Sequence, residues 1–222
     1  MGRAGRAPAP RTEQELLERA VRLRGRALQD IAAAAGGPLL SDGVRTKGKA
    51  GELIEWALGA TGGSARARDF PELGVELKTI PVVESGQVRE SSYVCTLPLE
   101  DADRVEWETS WVRTKLARVL WVPLVGDEKR VGEALLWSPT QEQDRVLRSD
   151  FEDAMGAIAL GHVEALTAHS GRWLQVRPKA KDGSVRTHAW GRDGERIATV
   201  PRGFYLRAIF TAAILEDPSA LP

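Results

Sequence analysis

The stretch that decides the fold and chemistry of this chain is Asp69-Phe-Pro-Glu-Leu-Gly-Val-Glu-Leu-Lys78. Its apolar end favours a β-strand, and a strand sends successive side chains to opposite faces. Glu76 and Lys78 therefore share one face, while the apolar residues beside them share the other and can enter a core. Asp69 arrives from the turn before the strand. Two carboxylates that can share a divalent cation, next to a lysine, are typical of a site that cuts phosphodiesters. The chain is therefore a candidate nuclease.

Length and composition limit the class of protein. The 222 residues can form one large domain or two small lobes, and 42% hydrophobic with 28% charged residues is ordinary for a soluble globular protein. No run of about 18 apolar residues occurs, so no transmembrane helix is expected. The segment 1–11 lacks the apolar core of a signal peptide, and we expect a disordered tail there. The single cysteine, Cys95, fits a reducing cytoplasm.

The charges cancel overall but are distributed unevenly. The chain has 31 basic and 31 acidic residues, which argues against tight unaided binding to DNA. Residues 100–153 hold 13 acidic and 8 basic residues, whereas residues 172–207 hold 9 basic and 3 acidic residues. The basic segment would suit a surface that follows a phosphate backbone. Two ordinary solvated surfaces would explain the same counts.

Periodicity and capping residues predict a helical start followed by a strand-rich region with interspersed helices. This order favours an α/β or α+β fold with a mixed sheet. Thr12 is expected to cap the first helix, which Gly25 ends, and Pro123 places its strand near an edge or an end. The further predicted helices cover residues 28–35, 51–58 and 111–116, and the predicted strands cover 75–82, 92–97, 119–125 and 134–137.

The chain after residue 137 gives four more expectations. Ser138 is expected to cap a long helix, with Pro139 at its first position. The others are, in chain order, a hairpin formed by 163–167 and 173–176, a loop or long hairpin over 179–196, and a last helix over 203–215.

The pattern of Asp69, six further residues and then Glu76-Leu77-Lys78 is weak evidence by itself. A half-solvated strand that carries an ion pair could contain the same residues. Two residues favour the nuclease interpretation. Glu55, on the helix predicted at 51–58, is a third carboxylate, and Lys115, on the helix predicted at 111–116, is a second cation. Competing chemistries fit less well, because the three histidines lack zinc-ligand spacing and no phosphate-binding Gly-rich loop occurs.

Ordered blocks along the chain resemble the MutH family of mismatch-repair endonucleases, in the restriction-endonuclease-like superfamily. The resemblance runs from about residue 12 to residue 215, whereas the loop 126–132 is shorter than in enteric members and the segment 181–191 matches poorly. It rests on six blocks: Asp69-Phe-Pro-Glu-Leu-Gly-Val-Glu-Leu-Lys-Thr-Ile-Pro81, Trp107-Glu-Thr-Ser110, Arg118-Val-Leu-Trp-Val-Pro123, Leu135-Leu-Trp-Ser-Pro139, Val176-Arg-Pro-Lys-Ala180 and Pro201-Arg-Gly-Phe-Tyr-Leu206.

The resemblance implies an α/β fold in which a mixed β-sheet is flanked by helices and two arms surround a DNA cleft. Residues 12–215 would form a single endonuclease domain with two lobes, between the tail over 1–11 and a C-terminal tail over 216–222. The implied activity is Mg²⁺-dependent nicking of the unmethylated strand of double-stranded DNA at hemimethylated GATC, with Mn²⁺ or Ca²⁺ able to replace Mg²⁺ for binding. MutL would activate the enzyme after MutS finds a mismatch. We expect a cytoplasmic monomer with no membrane association.

The resemblance also assigns roles to individual residues. The implied metal ligands are Asp69, Glu76 and a backbone carbonyl near Leu77, and the implied catalytic residues are Asp69, Glu76, Lys78, Glu55 and Lys115. The implied DNA-binding residues are the base-reading Arg177, its neighbours Pro178 and Lys179, the methyl-sensing Tyr205, the pair Lys47 and Gly48, and Tyr93. An arginine fork can bind a guanine edge with two hydrogen bonds. For Tyr93, an aromatic that only packs on its strand is an equal alternative.

Two other functions stay open from the residues. A GATC-type restriction endonuclease would cut both strands, but it needs two active sites and the chain holds one copy. A non-catalytic DNA-binding adaptor of the same fold would not need the predicted catalytic carboxylates and lysines. All five of these residues are present.

Overall fold

A computed structural model describes residues 6–35, 48–62, 67–180 and 184–222. Within these ranges, no helix combines the length and the apolar content that a membrane span requires. The helices are α1 (Glu13–Leu23), α2 (Leu28–Ala35), α3 (Lys49–Leu58), α4 (Trp111–Leu116), α5 (Gln141–Ala159) and α6 (Ala208–Glu216). The strands are β1 (Glu76–Val82), β2 (Ser92–Thr96), β3 (Val119–Val125), β4 (Arg130–Val131), β5 (Leu135–Trp137), β6 (Leu174–Pro178), β7 (Thr187–Trp190), β8 (Arg196–Thr199) and β9 (Arg202–Leu206).

The chain divides into two compact units that are discontinuous in sequence. The first comprises Met1–Glu90 and Arg118–Ser138, and the second comprises Ser91–Ala117 and Pro139–Pro222. Parallel strands need a long crossover connection, and β1 pairs in parallel with β3. The residues between β1 and β3 supply this crossover, and they include β2 and α4 of the second unit.

The sheet of the first unit has β3 in its middle. β1 pairs along one side of β3, from Glu76 opposite Val119 to Val82 opposite Val125, and β4 and β5 pair antiparallel on the other side. Of the two placements expected from Pro123, an edge or an end, the edge is therefore wrong, and the proline lies third from the end of the strand. β5 pairs with residues 119–121 and β4 with residues 124–125, so the proline, which has no N–H to donate, falls in the gap between them.

Helices α1 to α3 form the helical layer of the first unit and share its hydrophobic core with β1 and β3. Thr12 caps α1 as predicted, because its side chain accepts a hydrogen bond from the Glu15 N–H. Part of the segment 1–11, where we expected a disordered tail, lies against this layer. The Pro8 carbonyl accepts a hydrogen bond from Arg19 of α1, and Pro10 is buried.

The second unit contains a three-stranded antiparallel sheet in the order β2-β9-β6 and the two-stranded hairpin of β7 and β8. The predicted last helix over 203–215 is wrong at its start, since Arg202–Leu206 is the middle strand of the sheet and α6 begins only at Ala208. The buried side chains of Phe204 and Leu206 alternate with the half-buried Tyr205. A period of two is that of a strand and not of a helix.

Two further expectations for the second unit are corrected, and one alternative is selected. The long helix α5 is capped by Thr140 and not by Ser138, because the Thr140 and Gln143 side chains and N–H groups bond reciprocally. The hairpin over 163–176 does not form, since Val163–Ala165 is a 3₁₀ turn and β6 pairs with β9. Of the two possibilities for residues 179–196, the hairpin is met in part: β7 and β8 form one over 187–199, which covers only the second half of the expected segment.

A buried aspartate on α5 holds the start of β6. The Asp150 carboxylate accepts hydrogen bonds from the backbone N–H groups of Arg172 at 2.6 Å, Trp173 at 2.7 Å and Leu174 at 2.8 Å. Gln143, also on α5, is fully buried and donates to the carbonyls of Pro218 and Ala220. The C-terminal segment 216–222 therefore also contacts α5.

Candidate active site and DNA-contacting residues

The first predicted ligand, Asp69, lies beside β1 because the chain folds back on itself. A 3₁₀ turn over Pro71–Leu73 ends at Gly74, whose φ of +66° is in the left-handed region that glycine adopts without strain. The turn returns the chain so that the Leu77 N–H donates a hydrogen bond to Asp69 Oδ2 at 2.7 Å. The carboxylate is thereby held at the edge of the strand that carries Glu76.

The strand gives Glu76 and Lys78 the common face that the alternation predicted. Lys78 Nζ lies 3.5 Å from Glu76 Oε1, and the two side chains are 9% and 7% exposed. The Glu76 N–H donates to the Arg118 carbonyl at 3.0 Å, on the side of β3. A buried ion pair adds little net stability because both groups lose their hydration. The pair is therefore better explained by the charges that it keeps at this place than by a contribution to folding.

Glu55 brings a third carboxylate towards the same strand. Helix α3 packs on β1, and an ideal Cβ on Gly51 would lie 3.7 Å from Thr79 Oγ1 and 3.8 Å from Glu55 Oε1. The pKa of Glu55 is raised to about 7, first by burial and then by the negative charges of Asp69, Glu52 and Glu76. The folded protein thus concentrates negative charge at β1, and a cation there would relieve the repulsion.

The available donors suit a hard divalent cation. In the part of the chain that the structure describes, no three His, Cys, Asp or Glu side chains form a group that could hold a metal ion by themselves. The predicted set needs only the carboxylates of Asp69 and Glu76 and a backbone carbonyl near Leu77. Oxygen donors of this kind suit Mg²⁺, which keeps several waters and commonly takes one or two protein carboxylates plus substrate phosphate. The three predicted oxygen donors therefore fit a Mg²⁺ ion.

Lys115, the second predicted cation, lies in the last turn of α4 in the second unit. Ser110 caps this helix by accepting a hydrogen bond from the Arg113 N–H at 3.1 Å. The Lys115 side chain is only 7% exposed, and its Nζ lies 5.6 Å from the centre of the Trp111 ring. Stacking on an aromatic face compensates part of the hydration that a buried ammonium loses.

Four of the predicted DNA-binding residues meet on the sheet of the second unit. Tyr93 on β2 lies opposite Tyr205 on β9, and the rings are 5.3 Å apart at 63°. The Arg177 guanidinium lies 5.7 Å from the Tyr205 ring, and Lys179 Nζ lies 3.4 Å from the Tyr93 ring. Arg177, Pro178 and Lys179 are exposed and follow one another at the end of β6. We call the four charged and aromatic side chains, Tyr93, Arg177, Lys179 and Tyr205, the cation–aromatic row.

The remaining predicted pair is only partly described. Lys47 lies outside the described residues. Gly48 precedes α3 with a φ of +106°, a conformation that L residues rarely adopt. A side chain at position 48 would therefore strain the entry to the helix that carries Glu55.

Sequence reasoning missed Gly203. A Cβ at this position would lie 2.9 Å from Tyr93 Cε2 and 3.5 Å from Lys179 Cδ. The missing side chain lets the tyrosine ring and the lysine stem lie against β9. A glycine inside a strand often marks such a close approach, but the sequence had placed residue 203 in a helix.

Comparison with known proteins finds relatives over nearly the whole chain. The family model of the DNA mismatch repair enzyme MutH matches residues 58–150. The DNA mismatch repair protein MutH of Enterobacter sp. (strain 638) is 50% identical over 212 residues, which cover 93% of this chain and 92% of that protein. The MutH protein of Escherichia coli O139:H28 is also 50% identical over 212 residues, covering 93% of each chain.

The fold and the relatives together define a restriction-endonuclease-like α/β enzyme. The chain belongs to the MutH family of DNA mismatch repair enzymes. The predictions of this family, of its fold class and of a DNA endonuclease are confirmed. Family membership implies DNA binding and divalent-metal use in general terms, and the roles of individual residues stay predictions.

Replacing Glu55 by glutamine is expected to stabilise the metal-free protein at alkaline pH. A carboxyl whose folded-state pKa is raised keeps its proton in the folded protein between about pH 4.5 and 7, so the folded state loses relative stability as pH rises through that window. After allowance for the partial exposure of the side chain, we expect Glu55→Gln to raise the free energy of unfolding by about 1–2 kcal/mol at pH 8 and to change it little at pH 5.

Urea unfolding at both pH values measures this difference. Glu18→Gln on α1 is the matched control, because Glu18 is exposed and the charges that raise the pKa of Glu55 come from other residues, and its effect should stay within about 0.5 kcal/mol. An equal gain at pH 5 and pH 8 would contradict the interpretation, since the effect would then not come from ionisation.

Proposed function

We propose that this protein is a Mg²⁺-dependent endonuclease of methyl-directed mismatch repair that nicks the unmethylated strand at hemimethylated GATC. The observation that supports this most directly is the hydrogen bond from the Leu77 N–H to Asp69 Oδ2, 2.7 Å long. It holds one carboxylate beside the strand on which Glu76 and Lys78 share a face. Membership in the MutH family places that geometry in a DNA repair enzyme.

In this proposal Asp69 and Glu76, with the carbonyl near Leu77, hold the cation. A Mg²⁺ ion bound there would supply Lewis-acid stabilisation of the phosphate charge and lower the pKa of adjacent water. Lys78 orients the attacking water and stabilises the charge that develops on the phosphate. Water attacks in line, the bond from phosphorus to the 3′ oxygen breaks, and a 5′-phosphate and a 3′-hydroxyl remain. Glu55 helps to hold metal or water in this arrangement.

Further residues would contact the scissile phosphate and the bases. Lys115 would steady the phosphate, with its ammonium charge kept close to the Trp111 ring. Arg177 would read a guanine edge, since its exposed guanidinium offers the paired donors that this edge accepts. Tyr205 would sense the methyl group on the adenine of the GATC site. Pro178 and Lys179 would complete the contact, and so would Lys47 with Gly48 of the first unit.

The repair setting leads to proposals about partners and location. The net charge of zero provides no general attraction to DNA, so we propose that MutL recruits and activates the enzyme after MutS has found a mismatch. We further propose that the enzyme acts as a monomer in the cytoplasm, because nicking one strand needs one active site and the substrate is chromosomal DNA. Residues 12–215 would be the endonuclease domain.

A plasmid with one hemimethylated GATC tests the proposed function directly. With Mg²⁺ and MutL we expect a single nick in the unmethylated strand, and a slower reaction without MutL. Mn²⁺ should support cleavage, whereas Ca²⁺ should support DNA binding without it. Fully methylated plasmid is the matched control and should stay intact.

The same experiment separates the alternatives. Double-strand breaks in unmethylated plasmid at first encounter would favour a restriction enzyme. Absence of any metal-dependent cleavage, even with MutL, would favour a non-catalytic adaptor. Either result would overturn the proposal.

A further inference from the structure

An irregularity in β2 turns Thr96 towards the cation–aromatic row. Residues three apart on a regular strand point to opposite faces, so Tyr93 and Thr96 would normally be separated by the sheet. The register shifts after Tyr93, which lies opposite Tyr205, while Thr96 lies opposite Gly203. Tyr205 and Gly203 are two apart on β9 and share a face. Thr96 therefore lies on the same face as Tyr93, as expected where a β-bulge redirects a side chain.

The redirected threonine makes a specific contact with the tyrosine. Thr96 Oγ1 and the Tyr93 hydroxyl form a hydrogen bond of 2.9 Å. The hydroxyl end of the ring is thus attached to β2, and the ring centre lies 5.3 Å from that of Tyr205. Its Cε2 lies 2.9 Å from where a Cβ on Gly203 would be. The ring is held at three places: rotation about the Cα–Cβ bond would break the hydrogen bond, and the Tyr205 ring beside it restricts rotation about the Cβ–Cγ bond.

The held ring in turn limits the position of Lys179. Its backbone N–H donates to the Pro201 carbonyl at 2.7 Å, which attaches the main chain to the loop before β9. Its Nζ lies 3.4 Å from the centre of the Tyr93 ring, a cation–π distance. An exposed lysine otherwise samples many rotamers, and fixing them costs up to about 2 kcal/mol on binding. A ring that orders the ammonium beforehand reduces that cost.

We infer that Thr96 is a positioning residue whose hydroxyl fixes the Tyr93 ring and, through it, the ammonium of Lys179 in the orientation that meets DNA. The DNA part of this inference rests on the proposed function. Thr96 touches neither metal nor phosphate in this role. It adds to the proposed recognition site a residue that sets the geometry of Lys179, a predicted DNA-binding residue.

NMR of the intact protein tests the positioning without DNA. Stacking over Tyr93 shifts the ε-methylene protons of Lys179 upfield through the ring current, and we expect Thr96→Val and Tyr93→Phe to remove at least half of that shift. Thr96→Ser keeps the hydroxyl and should keep the shift. Thr187→Val, on β7, is the control for loss of a strand hydroxyl. An unchanged shift in Thr96→Val, or equal losses in the valine and serine variants, would overturn the inference.

Fluorescence anisotropy with a GATC duplex and a scrambled duplex tests the consequence for recognition. We expect Thr96→Val to lower the preference for GATC about two- to five-fold, the range of one exposed cation–π contact. In a Lys179→Ala background the same substitution should have no further effect, because the two residues act through one contact. A full additional loss there would overturn the inference. A parent protein without GATC preference would overturn the proposed function instead, and the NMR result would still decide the role of Thr96.

Discussion

Replacing Lys78 by alanine is expected to slow Mg²⁺-dependent nicking about 10³-fold, the range found when one preorganised charge-stabilising donor is removed. The ammonium is only 9% exposed and lies 3.5 Å from Glu76 Oε1. Within a site of low dielectric, its charge acts on the developing phosphate charge far more strongly than it would in water. Its removal also leaves Glu76 without the cation that pairs with it. Single-turnover nicking of a one-site plasmid measures the loss.

Two controls show whether the loss comes from chemistry. Lys129→Ala, on the turn between β3 and β4 of the same unit, should nick at the rate of the parent. DNA binding by Lys78→Ala in Ca²⁺ should stay close to that of the parent, because Asp69 and Glu76 remain. If Lys78→Ala nicks as fast as the parent, Lys78 is not the catalytic lysine.

Replacing Asp150 by alanine is expected to destabilise the protein by about 4 kcal/mol and to lower its melting temperature by about 10 °C. The side chain is 6% exposed and accepts three backbone N–H groups at the start of β6. Alanine would leave these donors unsatisfied in the interior, and each buried donor without a partner costs about 1–3 kcal/mol. Thermal and urea unfolding followed by tryptophan fluorescence measures the loss, because Trp173 carries one of the three donors.

The matched control for Asp150 lies on the same helix. Asp153 is exposed, and Asp153→Ala should change the free energy of unfolding by no more than about 0.5 kcal/mol. Asp150→Asn should fall between the two, since an amide offers one acceptor oxygen in place of two. A loss in Asp150→Ala as small as that in Asp153→Ala would refute the structural role of the three hydrogen bonds.

The geometry of the proposed cutting residues could be predicted from the sequence because it is local. Asp69, Glu76 and Lys78 lie within ten residues, and the alternation of a strand alone gives the last two a common face. Helix caps are equally local, and Thr12 was predicted as the cap of α1 from the residues around it. The cap of α5 was expected at Ser138, but the reciprocal bonds of Thr140 with Gln143 start the helix two residues later.

The base-contacting sheet could not be predicted in the same way. Five residues of β9 fit a short helix or a strand, and periodicity cannot separate the two at that length. These residues pair with β6 and with β2, whose Tyr93 lies more than a hundred positions upstream of its partner Tyr205. Only this non-local pairing makes residues 202–206 a strand, and the missing side chain of Gly203 matters only once the Tyr93 ring lies on it.

The sequence by itself determined the class of chemistry, since two carboxylates and a lysine at strand spacing need no distant residue to face one way. Tertiary structure decided how those groups are tuned and which others join them. The pKa of Glu55 rises to about 7 only when α3 packs on β1 and buries it beside Asp69 and Glu76. Thr96 joins the cation–aromatic row only through the register shift that β9 imposes on β2. Periodicity acts along the chain, whereas charge, burial and register depend on the neighbours that folding brings together.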